Sequence, residues 1–195
     1  MTTTLHSRSA DTNAPVLDVL SARWSPRAFA GDAPIDEAKL ASALEAARWA
    51  PSAGNSQPWR FLVARRGSAA HDTIHDALTG FNRVWADKAA VLIVAIAQTA
   101  DDAGRPAAFA SYDLGQAVAH LSVQAHADGL YVHQMGGFEA DVLRERFGIG
   151  SNLAPVTVIA LGELGDAADL PEALQERESA PRVRRPLSDS ILIDA

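Results

Sequence analysis

Apolar residues recur along this chain at two spacings, and the two alternate. Val16, Val19 and Leu20 share one helical face behind a capping candidate, Asn13, with Pro15 in the first turn and Pro26 as the stop. Asp36 is the next N-cap candidate. Leu40, Leu44 and Ala47 follow it at helical spacing, and Pro51 ends the run. WRFLVARRG (59–67) reads as a strand closed by Gly67, and residues 69–79 as a helix. AAVLIVAIA (89–97) has no polar residue, the pattern of a strand buried on both faces. The longest helix is predicted over 106–128, with Gly129 as its C-terminal cap. Eight of its positions are Ala or Gly, which permits close backbone approach and marks it as central. LYVHQM (130–135) reads as a short strand, 139–147 as a short helix, PVTVIALGEL (155–164) as a buried strand, and 170–179 as a helix. The remaining tail is extended.

The order of the core is therefore αβαβ, a long α, then βαβ. Such alternation predicts a sheet covered by helices on both faces, and leaves open whether its strands are parallel. Residues 1–12 read as a flexible arm, and 13–195 as a single domain, for which 195 residues is an ordinary length. Apolar residues make up 48% of the chain, as in a soluble globule. The formal net charge of −7 argues against non-specific binding to nucleic acid or an anionic membrane. The chain has no cysteine, hence no disulfide, thiolate nucleophile or thiolate metal site. The first residues lack the apolar core of a signal peptide, and no apolar run reaches the roughly 20 residues of a membrane span. A cytoplasmic protein is expected.

Several stretches could carry chemistry. Arg23 and Arg27 lie in RWSPRAF, with Ser25 between them; Arg182, Arg184 and Arg185 lie in RVRRP, at the far end of the chain. Each patch alone is compatible with a solvated surface. Together, in an acidic protein, they suit bidentate contacts to a phosphate monoester. APSAGNSQPW (50–59) is long and stiff for a helix-to-strand connection. Its amides, Asn55 and Gln57, suit a flat heterocycle edge or a polyol, or else simply cap the loop. Asn82 is a third amide. QMGGF (134–138) ends a strand in two glycines, Gly136 and Gly137, where backbone N–H groups could approach a ligand closely, or where the chain merely turns. His71 and His75 have metal-compatible i,i+4 spacing but no third ligand, and read as surface residues. No hydrolytic triad, dinucleotide fingerprint or Walker-type lysine motif is present.

RWSPRAF, APSAGNSQPWRF, QMGGF and RVRRP, in this order and spacing, resemble the FMN-dependent nitroreductase family over about residues 15–190. The resemblance implies an α+β, three-layer α/β/α sandwich with an (αβαβ)2 core around a mainly antiparallel sheet. It implies an intertwined homodimer with FMN at the interface, helix 106–128 at the dimer centre and the C-terminal tail embracing the partner. Carried over by position, Arg23, Ser25, Arg182 and Arg184 resemble the phosphate ligands, and Arg27 the cation near flavin N1 and O2. Asn55, Gln57 and Asn82 resemble contacts to the ribityl chain or pyrimidine edge. Pro51, Ser52 and Ala53 would line the flavin from the other protomer. Gly136 and Gly137 resemble the backbone over N5 and O4, and Trp24 and Met135 complete the implied cofactor set. No metal is implied.

The activity implied is hydride transfer from NAD(P)H through flavin N5 to a small planar, electron-poor acceptor such as a nitroaromatic or quinone, with no side chain acting as acid or base. Trp85, Phe81, Phe109, Tyr112 and Phe138 are candidate walls of the acceptor slot. Gly136 stands where some members have an acidic residue, and Trp85 near a position that is lysine in them. Two alternatives keep the fold: a relative performing dehalogenation, azoline oxidation or flavin fragmentation, and a flavin-sequestering dimer that is no enzyme.

Overall fold

A computed structural model describes residues 8–101 and 103–193. Its centre is β2 (Val91–Gln98), flanked by β1 (Trp59–Arg65) and β4 (Leu153–Gly162), with β3 (Tyr131–Met135) on the far edge of β4. The sheet order is β1-β2-β4-β3, and every pairing is antiparallel. Trp59 faces Ala97 across β1–β2, and Val91 faces Leu161 across β2–β4. The β2–β4 register slips between Ala95 and Ile96, next to Pro155, which has no N–H to give the ladder.

The apolar run in β2 is explained by its position. Val91, Ile93, Ala95 and Ala97 point to one face; Leu92, Val94 and Ile96 point to the other. The first face is covered by α2 (Glu37–Arg48) and α4 (Ala110–Ala127), through Leu40, Ala43, Ala47, Leu114, Ala117, Leu121 and Ala125. The second is covered by α3 (Ala69–Asp76), α5 (Ala140–Phe147) and α6 (Glu172–Ser179), through Ile74, Leu143 and Leu174. The result is the expected three-layer α/β/α sandwich. Alanines at the α2–α4 contact keep the two helices close, as the small-residue content of α4 predicts.

Helix boundaries depart from the sequence reading in instructive places. Asp36 is the N-cap of α2 as expected, accepting from the Ala38 and Lys39 N–H groups at 2.9 and 3.2 Å. Asn13 caps nothing. The first helix, α1, is only Asp18–Ala22, with the extended Leu17 (φ −59°, ψ 139°) at its N-cap, so Pro15 and Val16 lie outside it. Helix α4 starts at Ala110 rather than 106, because Ala107 N–H donates to Thr99 O (2.8 Å) and prolongs the strand-like pairing of Ala100 with Pro106. Of the expected arm, residues 1–7 lie outside the described residues. In the rest, Ala10 N–H donates to Ser21 O at 2.8 Å.

Two residues expected at the surface or in a ligand slot are core. His71 is buried, its Nε2 3.3 Å from Ala89 O. Trp85 is 1% exposed, stacked on Phe29 (centroids 6.0 Å, interplanar 16°) and 4.7 Å from the His133 ring, so it walls no slot. Phe138 is partly buried against the same cluster, while Phe81, Phe109 and Tyr112 are exposed. His133 Nδ1–H donates to Pro26 O at 2.8 Å. Burial, reinforced by the Arg27 charge, pulls its imidazole down to about 4 against the Pro26 and Ser25 carbonyls that favour protonation.

Two outcomes follow for stability. Asp36→Ala leaves two first-turn amides without a side-chain acceptor and lowers the urea-unfolding free energy by about 1 kcal/mol. His133 is neutral in the folded protein over a range where the unfolded imidazole, at 6.5, takes up a proton. Its contribution is therefore complete above pH 6.5 and lost as pH falls toward 4, reaching about 2 kcal/mol between pH 7 and pH 5. Urea titrations at the two pH values read this as a shallower pH slope in His133→Gln than in the wild type.

Candidate functional site

The loop after α1 leaves helical geometry at Arg23, whose backbone is extended (φ −60°, ψ 131°). Residues 23–27 then cross the end of α6 and the start of the C-terminal segment. Arg23, Trp24, Ser25 and Arg27 line one cleft with Arg182 and Arg184 from the far end of the chain, as the sequence reading anticipates. Two further arginines, Arg8 and Arg177, line it as well. Six guanidinium groups thus converge on one side of a protein whose net charge is −7.

The groups differ in what they can still bind. Arg182 Nη1 donates to Ser21 O (2.6 Å) and to Arg8 O, and its Nη2 to Arg23 O (2.9 Å). Its guanidinium therefore laces backbone segments together. Arg8 lies 4.3 Å above the Trp24 ring and donates to Glu178 O and, at 2.8 Å, to Ala180 O, closing the C-terminal end of α6. Among the described residues, Arg184 donates only to its neighbour's carbonyl, Val183 O (2.9 Å). Among the described residues, the Arg23 guanidinium has no hydrogen-bonded carboxylate. Burial, then the Arg184 charge, lowers the Arg23 pKa; burial, then Arg23, Arg184 and Arg8, lowers that of Arg182. His126 is pushed down by burial and then by Arg23 and Arg182, and its Nδ1 is buried without a hydrogen-bond partner. Arg23, Arg184 and the Ser25 hydroxyl thus form a donor set whose positive charge is not neutralised within the cleft. Such a set suits a multiply charged anion of phosphate type.

One carboxylate enters this cationic region from behind. Glu178, 3% exposed at the end of α6, accepts from Arg27 N–H (2.7 Å) and Ala28 N–H (3.1 Å), and its Oε2 lies 3.5 Å from Arg27 Nη1. Glu178, Arg8 and Arg177 are absent from the sequence reading. Nothing in QERES distinguishes Glu178 from its acidic neighbour, and Arg8 stands in a polar stretch without pattern.

The other predicted residues form two further groups. Asn82 Nδ2 donates to Gly137 O at 3.4 Å, and Thr79 N–H donates to the same carbonyl at 3.0 Å. A Cβ on Gly137 would stand 3.1 Å from both Asn82 Nδ2 and Thr79 Oγ1, so a side chain there would have to push these two groups back by a few tenths of an ångström. At Gly136 a Cβ would meet open space, and Met135 is buried beneath. Phe81, beside Asn82, carries the Arg177 guanidinium 5.1 Å above its ring, which links this group to the arginine cleft.

Pro51, Ser52, Ala53, Asn55 and Gln57 lie on the loop from α2 to β1, and none of them lines the arginine cleft. The loop holds three consecutive-region left-handed residues, Gly54, Asn55 and Gln57 (φ 58°, 56° and 48°). Ser52 Oγ accepts from Gln57 N–H (3.0 Å), and Gln57 Nε2 donates to Asn55 O and Oδ1 (both 3.2 Å). Ala53 N–H donates to Asp113 Oδ2 (3.0 Å), a buried carboxylate in the first turn of α4. Pro51 through Gln57 is therefore a strained, built loop whose outer surface is exposed. Among the described residues no group of three or more His, Asp or Glu side chains could hold a metal, and no helix is long and apolar enough to cross a membrane.

The nitroreductase family model matches residues 20–84. A solved oxidoreductase containing FMN superposes with a TM-score of 0.88 at 37% identity, covering 94% of this chain and 93% of its own. An uncharacterised 15.4 kDa protein of Mycolicibacterium smegmatis is 38% identical over 64% of this chain and 88% of its own. YodC of Bacillus subtilis, named for NAD(P)H nitroreductase activity, is 28% identical over 75% of this chain and 88% of its own. The matched segment 20–84 contains the cleft loop, the loop 51–57 and Asn82, and the superposition extends the likeness across nearly all of the fold, so this chain belongs to the nitroreductase family.

Proposed function

We propose that the protein is an FMN-dependent oxidoreductase that carries hydride from NAD(P)H to a planar, electron-poor acceptor of the nitroaromatic or quinone class. The observation that carries this reading is the arginine cleft: a set of donors with unneutralised positive charge, on the loop and tail whose motifs resemble the family's phosphate ligands. The solved relative that contains FMN and the name of the Bacillus relative support the same cofactor and reductant.

FMN, when bound, supplies the two-electron carrier between reductant and acceptor. The chain's own residues bind and bias it. Arg23, Ser25 and Arg184 would hold the phosphate, and Arg182 keeps the Arg23 backbone in place through the Arg23 carbonyl. Arg27, which lines the same cleft, would supply a positive charge to the flavin, where charge-stabilising donors act as in an oxyanion hole. Gly136 presents an open backbone and Asn82 steadies Gly137 behind it.

The loop 51–57 contributes from the second copy in a homodimer. Support for a dimer comes from apolar groups exposed on the single chain: Leu17 in the turn before α1, Leu20 on α1, Tyr112 on α4, and Val183, Leu187 and Leu192 along the tail. Gly115 and Ala119 on α4 leave a shallow stripe against which a second helix could pack. Obligate interfaces of this kind bury about 2,000–5,000 Å².

The purified protein is expected to be yellow and to bleach when NADH or NADPH is added without oxygen, the colour returning on addition of a quinone. Colour that persists through both nucleotides rejects the reductase reading. Replacing Arg23 and Arg184 together by alanine removes two charged donors worth about 1.5–3 kcal/mol each. FMN affinity, followed by flavin fluorescence, then falls about a hundredfold or more, while the unfolding midpoint of the FMN-free protein stays near that of the wild type.

A further inference from the structure

We infer that Glu178 is a positioning residue that restrains the Arg27 guanidinium and offsets part of its charge, and thereby holds the reduction potential of the bound cofactor below the value an unrestrained Arg27 would give. The inference rests on the FMN reading above and concerns one residue to which that reading gives no role.

Glu178 arrives from 151 positions along the chain, on the last turn of α6, and its side chain is almost fully removed from water. One oxygen, Oε1, accepts both the Arg27 and the Ala28 amides and so fixes the backbone on which the Arg27 guanidinium is mounted. The other, Oε2, faces Arg27 Nη1 at 3.5 Å, the long limit of a hydrogen bond. The two contacts act together. The backbone bonds locate the root of the side chain, and the looser ion pair limits where its head can swing.

The pair engages one of the five N–H donors of Arg27. No other hydrogen bond of that guanidinium occurs among the described residues, so the remaining donors are available to an acceptor in the cleft. A carboxylate this close also offsets part of the field that Arg27 exerts beyond it. Around the cleft the other charges, Arg8, Arg23, Arg177, Arg182 and Arg184, are all positive. Glu178 is thus the one buried negative group in contact with Arg27 among the described residues. The neighbouring imidazole, His133, is held neutral at working pH and adds no charge.

Other roles for Glu178 fit less well. Its Oε1 alone would suffice to satisfy the two amides, and a glutamine or a water could do the same. A buried carboxylate without a partner is costly, and this one lies opposite a guanidinium that is itself only a quarter exposed. The carboxylate is matched to Arg27 and not to the loop alone.

The test is spectroelectrochemical titration of the FMN-loaded protein in three variants. Glu178→Gln keeps a carbonyl oxygen for the amides and removes the charge; the midpoint potential is expected to rise above that of the wild type. Arg27→Gln is expected to lower it. In the double variant, the rise due to Glu178→Gln is expected to shrink, because there is no longer a guanidinium to position. An unchanged potential in Glu178→Gln overturns the inference, as does an equal rise with and without Arg27, which would make Glu178 a bare charge acting on its own. If Arg27→Gln leaves the potential unmoved while FMN stays bound, the fault lies instead with Arg27 at the flavin, and the role assigned to that arginine falls first. Should Glu178→Gln fail to fold, Glu178→Asp keeps the charge on a shorter arm that cannot reach both the amides and Nη1. Its potential is expected to rise as well, and a wild-type value there overturns the inference.

Discussion

Repulsion among guanidinium groups is the constraint around which this structure is arranged. Six arginines from three distant stretches of chain meet at one cleft, and like charges do not gather there unless something holds them. The holding is done by main-chain carbonyls, at Ser21, Arg23, Glu178 and Ala180, and by a single buried carboxylate. Each fixed arginine removes freedom from its neighbours. Arg182 determines where Arg23 begins, Arg8 determines where α6 ends, and the end of α6 delivers the carboxylate that orients Arg27. The backbone that carries Arg23 is fixed by Arg182 before any ligand arrives, which limits part of the ordering cost that binding would otherwise carry, while the exposed Arg184 is left free to move onto a ligand.

The sandwich supplies the rigid frame for that arrangement. Because β2 is buried on both faces, its flanking layers cannot shift independently, and the loops that leave the sheet start from fixed points. Gly137 crowds Asn82 at the end of β3, and Asp113 fastens the loop 51–57 to α4. Strain at Asn55 and Gln57 is tolerated because Ser52 and the paired amides over-determine the loop.

Much of this was legible in the chain. The unbroken apolar run of β2 and the alternation of periods give the layers, and Asp36 announces α2. The directions of the strands were not legible from periodicity, because a strand buried on both faces looks the same whichever way its neighbour runs. Trp85 escaped as well: a tryptophan beside polar residues resembles a ligand wall until its stacking on Phe29 is seen. Of the site, residues set in punctuated motifs could be found, since prolines, glycines and repeated arginines stand out. Glu178 and Arg8 could not, because what makes them matter is contact across some 150–170 positions, and no local pattern encodes that.

The lacing of residue 8 to residues 178–182 has a bearing on how the protein comes into being. Translation releases the chain in order, and the RWSPR loop emerges more than 150 positions ahead of the segment that anchors it. A nascent polypeptide halted between β2 and α6 would carry the residues of α2, β1 and β2 yet lack the segment that pins the loop at residues 23–28. Closure of the arginine cleft is then confined to chains synthesised nearly as far as residue 184.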